Sequence, residues 1–320
     1  MSNFNSFSAI LGLLALGAMT SCSIKEDVSD CPKQQVYVDL RAFDYSMDDF
    51  GSVSGGPSTK ASGIIATKAV DASEAVSQIA FKAFDSSGSE VYSESQSSGD
   101  SGVGSIDFEL APGSYTFVAV GNKLSANAGA DAMVSISSVS VAILPEALPT
   151  DVFSLTKAVT IEPRNDFTTA MVLPRVMSQF KLATIDRLPS NVASIELIGN
   201  SKAPAGSGSS SNASGASFDP SDGRLLTDQR WTKTAIVSAS AGKQPVTISL
   251  NMLLTSDEQS IDVIANAYDA SGNLITTISL NDVPMKRNRV TTARGTLFNA
   301  GGASSFTFEN TWLDPYEMAF

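Results

Sequence analysis

The stretch that decides the fold is Ile106-Asp-Phe-Glu-Leu-Ala-Pro-Gly-Ser-Tyr-Thr-Phe-Val-Ala-Val120. Ile106, Phe108 and Leu110 alternate with Asp107 and Glu109. That period of two turns one face of a strand to a core and the other to water. Pro112-Gly113 breaks the run, and Tyr115 to Val120 resumes it with aromatic and β-branched residues, which suit a pleated, half-buried surface. Two such runs four residues apart predict a β-hairpin.

The same pattern continues outward. Val36, Val38 and Leu40 share one face of a predicted strand, and Ile79–Phe84 turns through Asp85-Ser-Ser-Gly88 into Val91-Tyr-Ser. A second series contains Gln179–Ile185, Ser194–Ile198, Val246–Leu250, Ile261–Tyr268 and Leu274–Leu280. Gly/Ser-rich loops are expected at Gly51–Gly63 and Ser201–Ser217, the latter inside the second series because strands flank it. Many short strands, few helix signals and frequent turns predict an all-β chain of two tandem β-sandwiches. A break near Glu162-Pro-Arg-Asn165 places them at 35–164 and 165–320. One internal similarity supports related units: Phe81-Lys-Ala-Phe-Asp-Ser-Ser-Gly resembles Ala265-Asn-Ala-Tyr-Asp-Ala-Ser-Gly. Common hairpin chemistry alone can also produce it. The pattern lacks the downstream Glu of a calcium loop, so it predicts no metal site.

Composition narrows the function. The 320 residues are 42% hydrophobic and 17% charged, enough to bury a core. With 33 acidic and 21 basic residues the net charge is -12, which speaks against a nucleic-acid partner. The absence of His removes Ser-His-Asp and Cys-His catalysis and His-type zinc sites. Two Cys cannot close a Cys₄ site or build a disulfide framework. The composition leans away from an enzyme, and no cofactor is expected.

The N-terminus reads as a processing segment. Ala9–Thr20 is an apolar run of twelve residues. As a helix it would span roughly 18 Å against a hydrocarbon core of about 30 Å, the length of a signal-peptide hydrophobic region. It ends in Met19-Thr20-Ser21-Cys22, which resembles the bacterial lipobox, where a signal peptidase cuts before a diacylated Cys. The expected division is a signal peptide at 1–21 and an acidic lipid-proximal linker at 22–34, with Cys22 as the lipidation site. The acids of Ser23-Ile-Lys-Glu-Asp27 resemble the surface-export signal of Bacteroidetes lipoproteins. An ordinary secretory signal with an incidental Cys is the alternative, since no Lys or Arg precedes the run. A Cys22–Cys31 disulfide would exclude lipidation.

Four segments together resemble one family. Cys22-Ser-Ile-Lys-Glu-Asp-Val-Ser-Asp-Cys-Pro32 is similar to the mature start of the FimB-type fimbrial anchor lipoproteins of the Bacteroidales fimbrillin superfamily. Leu110–Asn122 resembles that superfamily's Gly-x-Tyr hairpin running to an Asn. Phe180–Pro189 is similar to the opening strand of its second domain, and Val283–Gly295 to its late Arg-Asn-x-x-Thr strand. The resemblance implies two transthyretin-like sandwiches, an outer-membrane location at the cell surface through an N-terminal lipid, other fimbrial subunits as partners, and assembly by β-strand exchange. Stalk subunits of the group lose an N-terminal strand to a protease cutting after Arg or Lys, whereas the anchor branch keeps its lipid and that segment. Arg41 stands where a stalk subunit would be cut; the bland reading is a strand-end charge.

Other candidates are weaker. Asp48-Asp49 and Asp257-Glu258 are adjacent acids, a poor start for a glycosidase pair whose carboxylates must converge. Lys286, Arg287, Arg289 and Arg294 form a basic cluster expected to pair with surface acids. Trp231 and Trp312 would be carbohydrate platforms if exposed, which keeps a surface glycan-binding lipoprotein as the alternative function; burial is the commoner state of a sandwich Trp. Phe306, Phe308 and Trp312 are expected to bury in the second sandwich.

Cys22→Ala is predicted to move the protein from the membrane pellet to the soluble fraction. A pellet unchanged after detergent-free washing would refute lipid anchoring at that residue.

Overall fold

A computed structural model of the chain describes residues 32–45, 68–123, 133–143, 151–201, 216–238, 242, 245–298 and 306–310. Cys22, Cys31, Asp48, Asp49, Trp312 and the Gly51–Gly63 loop lie outside them, as does nearly all of Ser201–Ser217.

In chain order the elements are β1 Gln34–Asp39, β2 Ala42–Tyr45, β3 Lys68–Asp71, the one-turn helix α1 Ala72–Ala75, β4 Gln78–Asp85, β5 Glu90–Ser97, β6 Ser105–Leu110, β7 Gly113–Lys123, β8 Met133–Ile136, β9 Val141–Ile143 and β10 Asp151–Ile161. There follow β11 Phe167–Ala170, β12 Leu173–Pro174, β13 Ser178–Thr184, β14 Ser194–Ser201, β15 Ala216–Phe218, β16 Gln229–Ile236, β17 Thr247–Met252, β18 Glu258–Tyr268, β19 Leu274–Lys286, β20 Val290–Gly295 and β21 Phe306–Asn310. The fold is all-β, as the alternation predicts.

The first sandwich sets the sheets β11-β1-β6 and β12-β2-β3 against β10-β7-β4-β5. Val36, Val38, Leu40 and Phe43 point inward from one side, and Phe81, Phe117, Ala119 and Phe153 from the other. Rings meet edge-on: Phe81 and Phe117 at 5.3 Å, Phe43 and Phe153 at 5.1 Å. The second sandwich sets β17-β13-β20-β21 against β16-β14-β18-β19 around Phe180, Leu182, Leu197, Trp231 and Val263.

The expected hairpin between the two deciding runs does not form. β6 pairs with β1 and β7 with β4 and β10, so Pro112-Gly113 carries the chain across the core from one sheet to the other. Both runs have an apolar face, and stacking them face to face buries both, which side-by-side pairing would not. Phe108 and Phe117 meet 5.9 Å apart across that core.

The repeated turn is structural. The β4–β5 and β18–β19 hairpins each have a register shift just before an Asp-x-Ser-Gly turn. Asp85 Oδ1 accepts the N–H groups of Ser87 and Ser89, and Asp269 Oδ1 those of Ser271 and Asn273. Gly88 and Gly272 both sit at φ 81°, the left-handed region such turns require of their glycine. Those donors hold both carboxyls below the usual carboxylate range, led by the side-chain bonds from Ser87 and from Asn273. Each hairpin ends its sheet, with β5 and β19 as the edge strands.

The two halves are welded together. The sequence puts the second unit's start at 165, yet β11 pairs with β1 and β12 with β2, so residues 167–174 complete the first sandwich. The chain passes to the second pair of sheets at Arg175–Met177. A sixth sheet, β15-β9-β8, draws strands from both halves. It lies in one apolar cluster that joins Ala80, Val118, Val120 and Val152 to Val176, Phe218 and the core of the second sandwich. Arg175, 2% exposed, sits at this joint. Its Nε donates to both oxygens of Asp151 at 2.8 and 3.0 Å, and its guanidinium lies 5.6 Å from the Phe153 ring centre. The Val176 N–H donates to the Val152 carbonyl and Ser154 Oγ to that of Pro220. Gly223, at φ 70°, lies so close to Val176 that a Cβ would fall 2.3 Å from the Val176 Cβ, so no larger residue fits there without displacing the joint.

Burial pushes the Asp151 carboxyl up to about 6, against the pull of the Arg175 guanidinium, the bond from the Val152 N–H and the charge of Lys123. A carboxyl whose folded value exceeds its unfolded value holds its proton more tightly in the fold. This group therefore adds stability as the pH falls from about 6 towards 4, and withdraws it as the pH rises through that window. Asp151→Asn is predicted to remove that slope from the unfolding free energy, and an unchanged profile in denaturant titrations would contradict the assignment. Arg175→Ala, which leaves a buried carboxylate without its partner, should cost about 3–5 kcal/mol at neutral pH.

Candidate functional site

β1 is a central strand, followed by an exposed Arg41. Its six residues pair antiparallel with β6, from Gln34 opposite Leu110 to Asp39 opposite Ser105. On its other side Val36–Asp39 pair in parallel with Phe167–Ala170 of β11. Val36, Val38 and Leu40 are buried at 0, 2 and 0% exposure, while Tyr37 on the opposite face is exposed. Removal of residues 34–40 would leave two facing ladder edges, a floor of aromatic side chains and three apolar pockets spaced two residues apart. That is the geometry an incoming strand needs: backbone bonds for affinity and alternate pockets for specificity.

Arg41 follows directly. Leu40 and Arg41 stand between β1 and β2, outside either ladder, with the Leu40 N–H donating to the Gly104 carbonyl at 2.6 Å. The Arg41 side chain is 61% exposed and forks onto Asp39, Nε to Oδ1 at 2.9 Å and a terminal nitrogen to Oδ2 at 2.7 Å. The hydrogen bond from Arg41 holds the Asp39 carboxyl below its usual range. An exposed pair of this kind contributes little to stability, so the arrangement presents the Arg41 side chain at the surface without locking it.

The other sequence candidates separate. Asp257 and Glu258 do not converge on a cleft: Asp257 pairs with Arg287 at 2.7 Å and Glu258 with Lys286 at 2.6 Å, which accounts for half of the basic cluster. Trp231 is fully buried, its Nε1–H donating to Ser201 Oγ at 3.1 Å, so it is no carbohydrate platform. β21 pairs with β20 and closes its own sandwich. Phe306 packs against the core as expected, but Phe308 is 37% exposed. β21 is the last strand of its sheet, and among the described residues none lies beyond it to cover that ring. The Arg175–Asp151 joint was missed by sequence reading, because two residues 24 positions apart with unremarkable neighbours carry no local signal of pairing.

A model described as a family of unknown function, DUF6562, matches residues 89–319. The chain belongs to this family. No curated protein matches the chain in sequence. Among solved structures, a candidate adhesin from Bacteroides ovatus superposes with a TM-score of 0.51 at 15% identity, covering 90% of this chain and 99% of its own. A candidate polysaccharide-binding protein (DUF1812) from Bacteroides thetaiotaomicron gives 0.51 at 12%, covering 87% and 98%. The fimbrial anchor protein Mfa2 from Porphyromonas gingivalis gives 0.47 at 14%, covering 88% and 98%. The first two likenesses span nearly the whole of each chain and show a shared fold.

Because β1 fills a seat closed on both sides, truncating a pocket residue is predicted to act as a core mutation. Leu40→Ala should lower the unfolding free energy by about 2–5 kcal/mol. A loss within the range of a surface substitution, about 0.5 kcal/mol in a denaturant titration, would mean that the strand is not seated.

Proposed function

We propose that this chain is a surface lipoprotein subunit of a fimbria, acting as its membrane anchor and joining neighbours by β-strand exchange. The observation that carries the reading is the seat of β1, a central strand between two ladders, whose lipid-proximal start and exposed Arg41 bracket a removable unit. With β1 in place the seat is full and the folded body stays continuous with Cys22, as suits a subunit at the base. A cut between Arg41 and Ala42 would release Gln34–Asp39 together with the lipid and open the seat, as suits a stalk. The four family-like segments and the fold shared with a candidate adhesin support this reading. The glycan-binding alternative loses Trp231 as its platform.

The test is to shear fibres from an outer-membrane preparation and determine the N-terminus of this chain in them by mass spectrometry. An acylated Cys22 at the N-terminus of fibre-associated chain is the expected result. An N-terminus at Ala42 would replace the anchor reading with a stalk subunit, and absence of the chain from fibres would remove the fimbrial reading altogether.

A further inference from the structure

We propose that an arginine-specific endopeptidase cuts the folded chain at Arg164–Asn165 while sparing Arg41–Ala42, and that the cut chain stays one folded body. Such enzymes bind their substrate as an extended strand, several residues on each side of the scissile bond, so a segment already held in a ladder or a core must first open. All nine arginines of the chain fall among the described residues, and the Gly51–Gly63 and Ser201–Ser217 loops contain none. Arg164 stands in the turn between β10 and β11. Glu162, Pro163, Arg164, Asn165 and Asp166 are all exposed, with neither ladder nor core to leave. Arg164 takes a left-handed φ of 66°, so drawing the turn out into a strand relieves a strained residue and breaks no ladder.

The other arginines are held. Arg175 is buried, and Arg230 and Arg294 lie inside ladders, opposite Asn200 and Ala183. Arg187 is followed by the buried Leu188, and Arg289 by the buried Val290. Arg224 precedes the buried Leu225, whose N–H donates to the Leu254 carbonyl. The Arg287 N–H donates to the Asp257 carbonyl, and its guanidinium pairs with the Asp257 carboxylate. At Arg41 the side chain is exposed but the neighbours are fixed. Leu40 is fully buried with its N–H on the Gly104 carbonyl, and Ala42 lies in the ladder opposite Asp71. Phe43, also fully buried, meets the Phe153 ring edge-on. Gly104 lies so close that a Cβ there would fall 2.8 Å from Arg41 Cγ. To enter a protease cleft, Leu40 and Phe43 would have to leave the core.

The cut at Arg164 severs the chain but no ladder. Water adds across the amide, breaking the C–N bond and leaving a carboxylate on Arg164 and an ammonium on Asn165. Phe167–Ala170 stay paired with β1 and Leu173–Pro174 with β2, while the Arg175–Asp151 pair and the apolar cluster of the joint still span both fragments. The first fragment lacks β11 and β12, and the second supplies them. This does not rest on the anchor reading, because the purified chain carries the test whether or not Cys22 is acylated.

The test is timed digestion of the purified full-length chain by an arginine-specific endoproteinase, with fragments identified by mass spectrometry and run in parallel on gel filtration without denaturant. The first products should end at Arg164 and start at Asn165, with Arg41–Ala42 cut at least ~100-fold more slowly. They should elute together at the position of the uncut chain and part only in denaturant. Arg164→Asn, a residue that tolerates left-handed backbone, should remove the first cut without moving the melting temperature. Leu40→Ala should speed the cut at Arg41 at least ~10-fold and leave that at Arg164 unchanged. If that variant does not fold, Leu40→Val carries the same comparison with a smaller factor. A chain cut first at Arg41 or at another arginine, a chain that resists the enzyme, fragments that part without denaturant, or a Leu40 variant cut at Arg41 no faster than wild type overturns the proposal.

Discussion

The structure depends on the double burial of one sheet. In β7, Phe117-Val-Ala-Val-Gly-Asn122 is buried without a break, which a strand can be only when both of its faces are covered. One face, with Phe117 and Ala119, closes the first sandwich. The other, with Val118 and Val120, lies in the cluster that runs into the second. The sheet β10-β7-β4-β5 is thus a shared wall, and removing the C-terminal half would expose apolar side chains that the first sandwich cannot cover itself. The buried Arg175–Asp151 pair sits at the edge of that wall, where the chain crosses between the halves. An ion pair there needs Phe153 and the Val152 N–H around it, because two charges at this depth are otherwise costly.

Within this body, two strands stand out for how their ladders are filled. β1 is bonded on both sides and anchored by the buried Val36 and Val38, with the buried Leu40 just after it and then the solvent-exposed Arg41. β19 is bonded on one side along its first half and carries no charge there. The seat of β1 is closed by ladders on both sides, whereas β19 is the edge strand of its sheet.

The repeated Asp-x-Ser-Gly turns are one local device used at two places in the chain. Each turn is built from local bonds only, a carboxylate gathering N–H groups two and four residues onward, so it can be read at either place in the chain. What the turns connect differs. β4 is buried within the shared wall, whereas β19 is the edge strand of a sheet in the second sandwich.

The sequence alone determined the strands and the class of the fold, because alternation such as Val36-x-Val38-x-Leu40 and Ile106-x-Phe108-x-Leu110 is a local consequence of one face meeting a core. It also marked Arg41 at the end of the first strand. Which strands became neighbours was decided by tertiary structure. The runs either side of Pro112-Gly113 carry an equally good signal for a hairpin and for a crossing between sheets, and only the need to bury both apolar faces selects the crossing. Residues 167–174 likewise follow a turn that looks like a boundary, yet they pair with β1 and β2, because the open side of β1 lies more than 120 residues back in the chain and no local pattern points to it. Pairing between distant segments depends on which edges remain open once the cores have closed, and that property belongs to the folded whole.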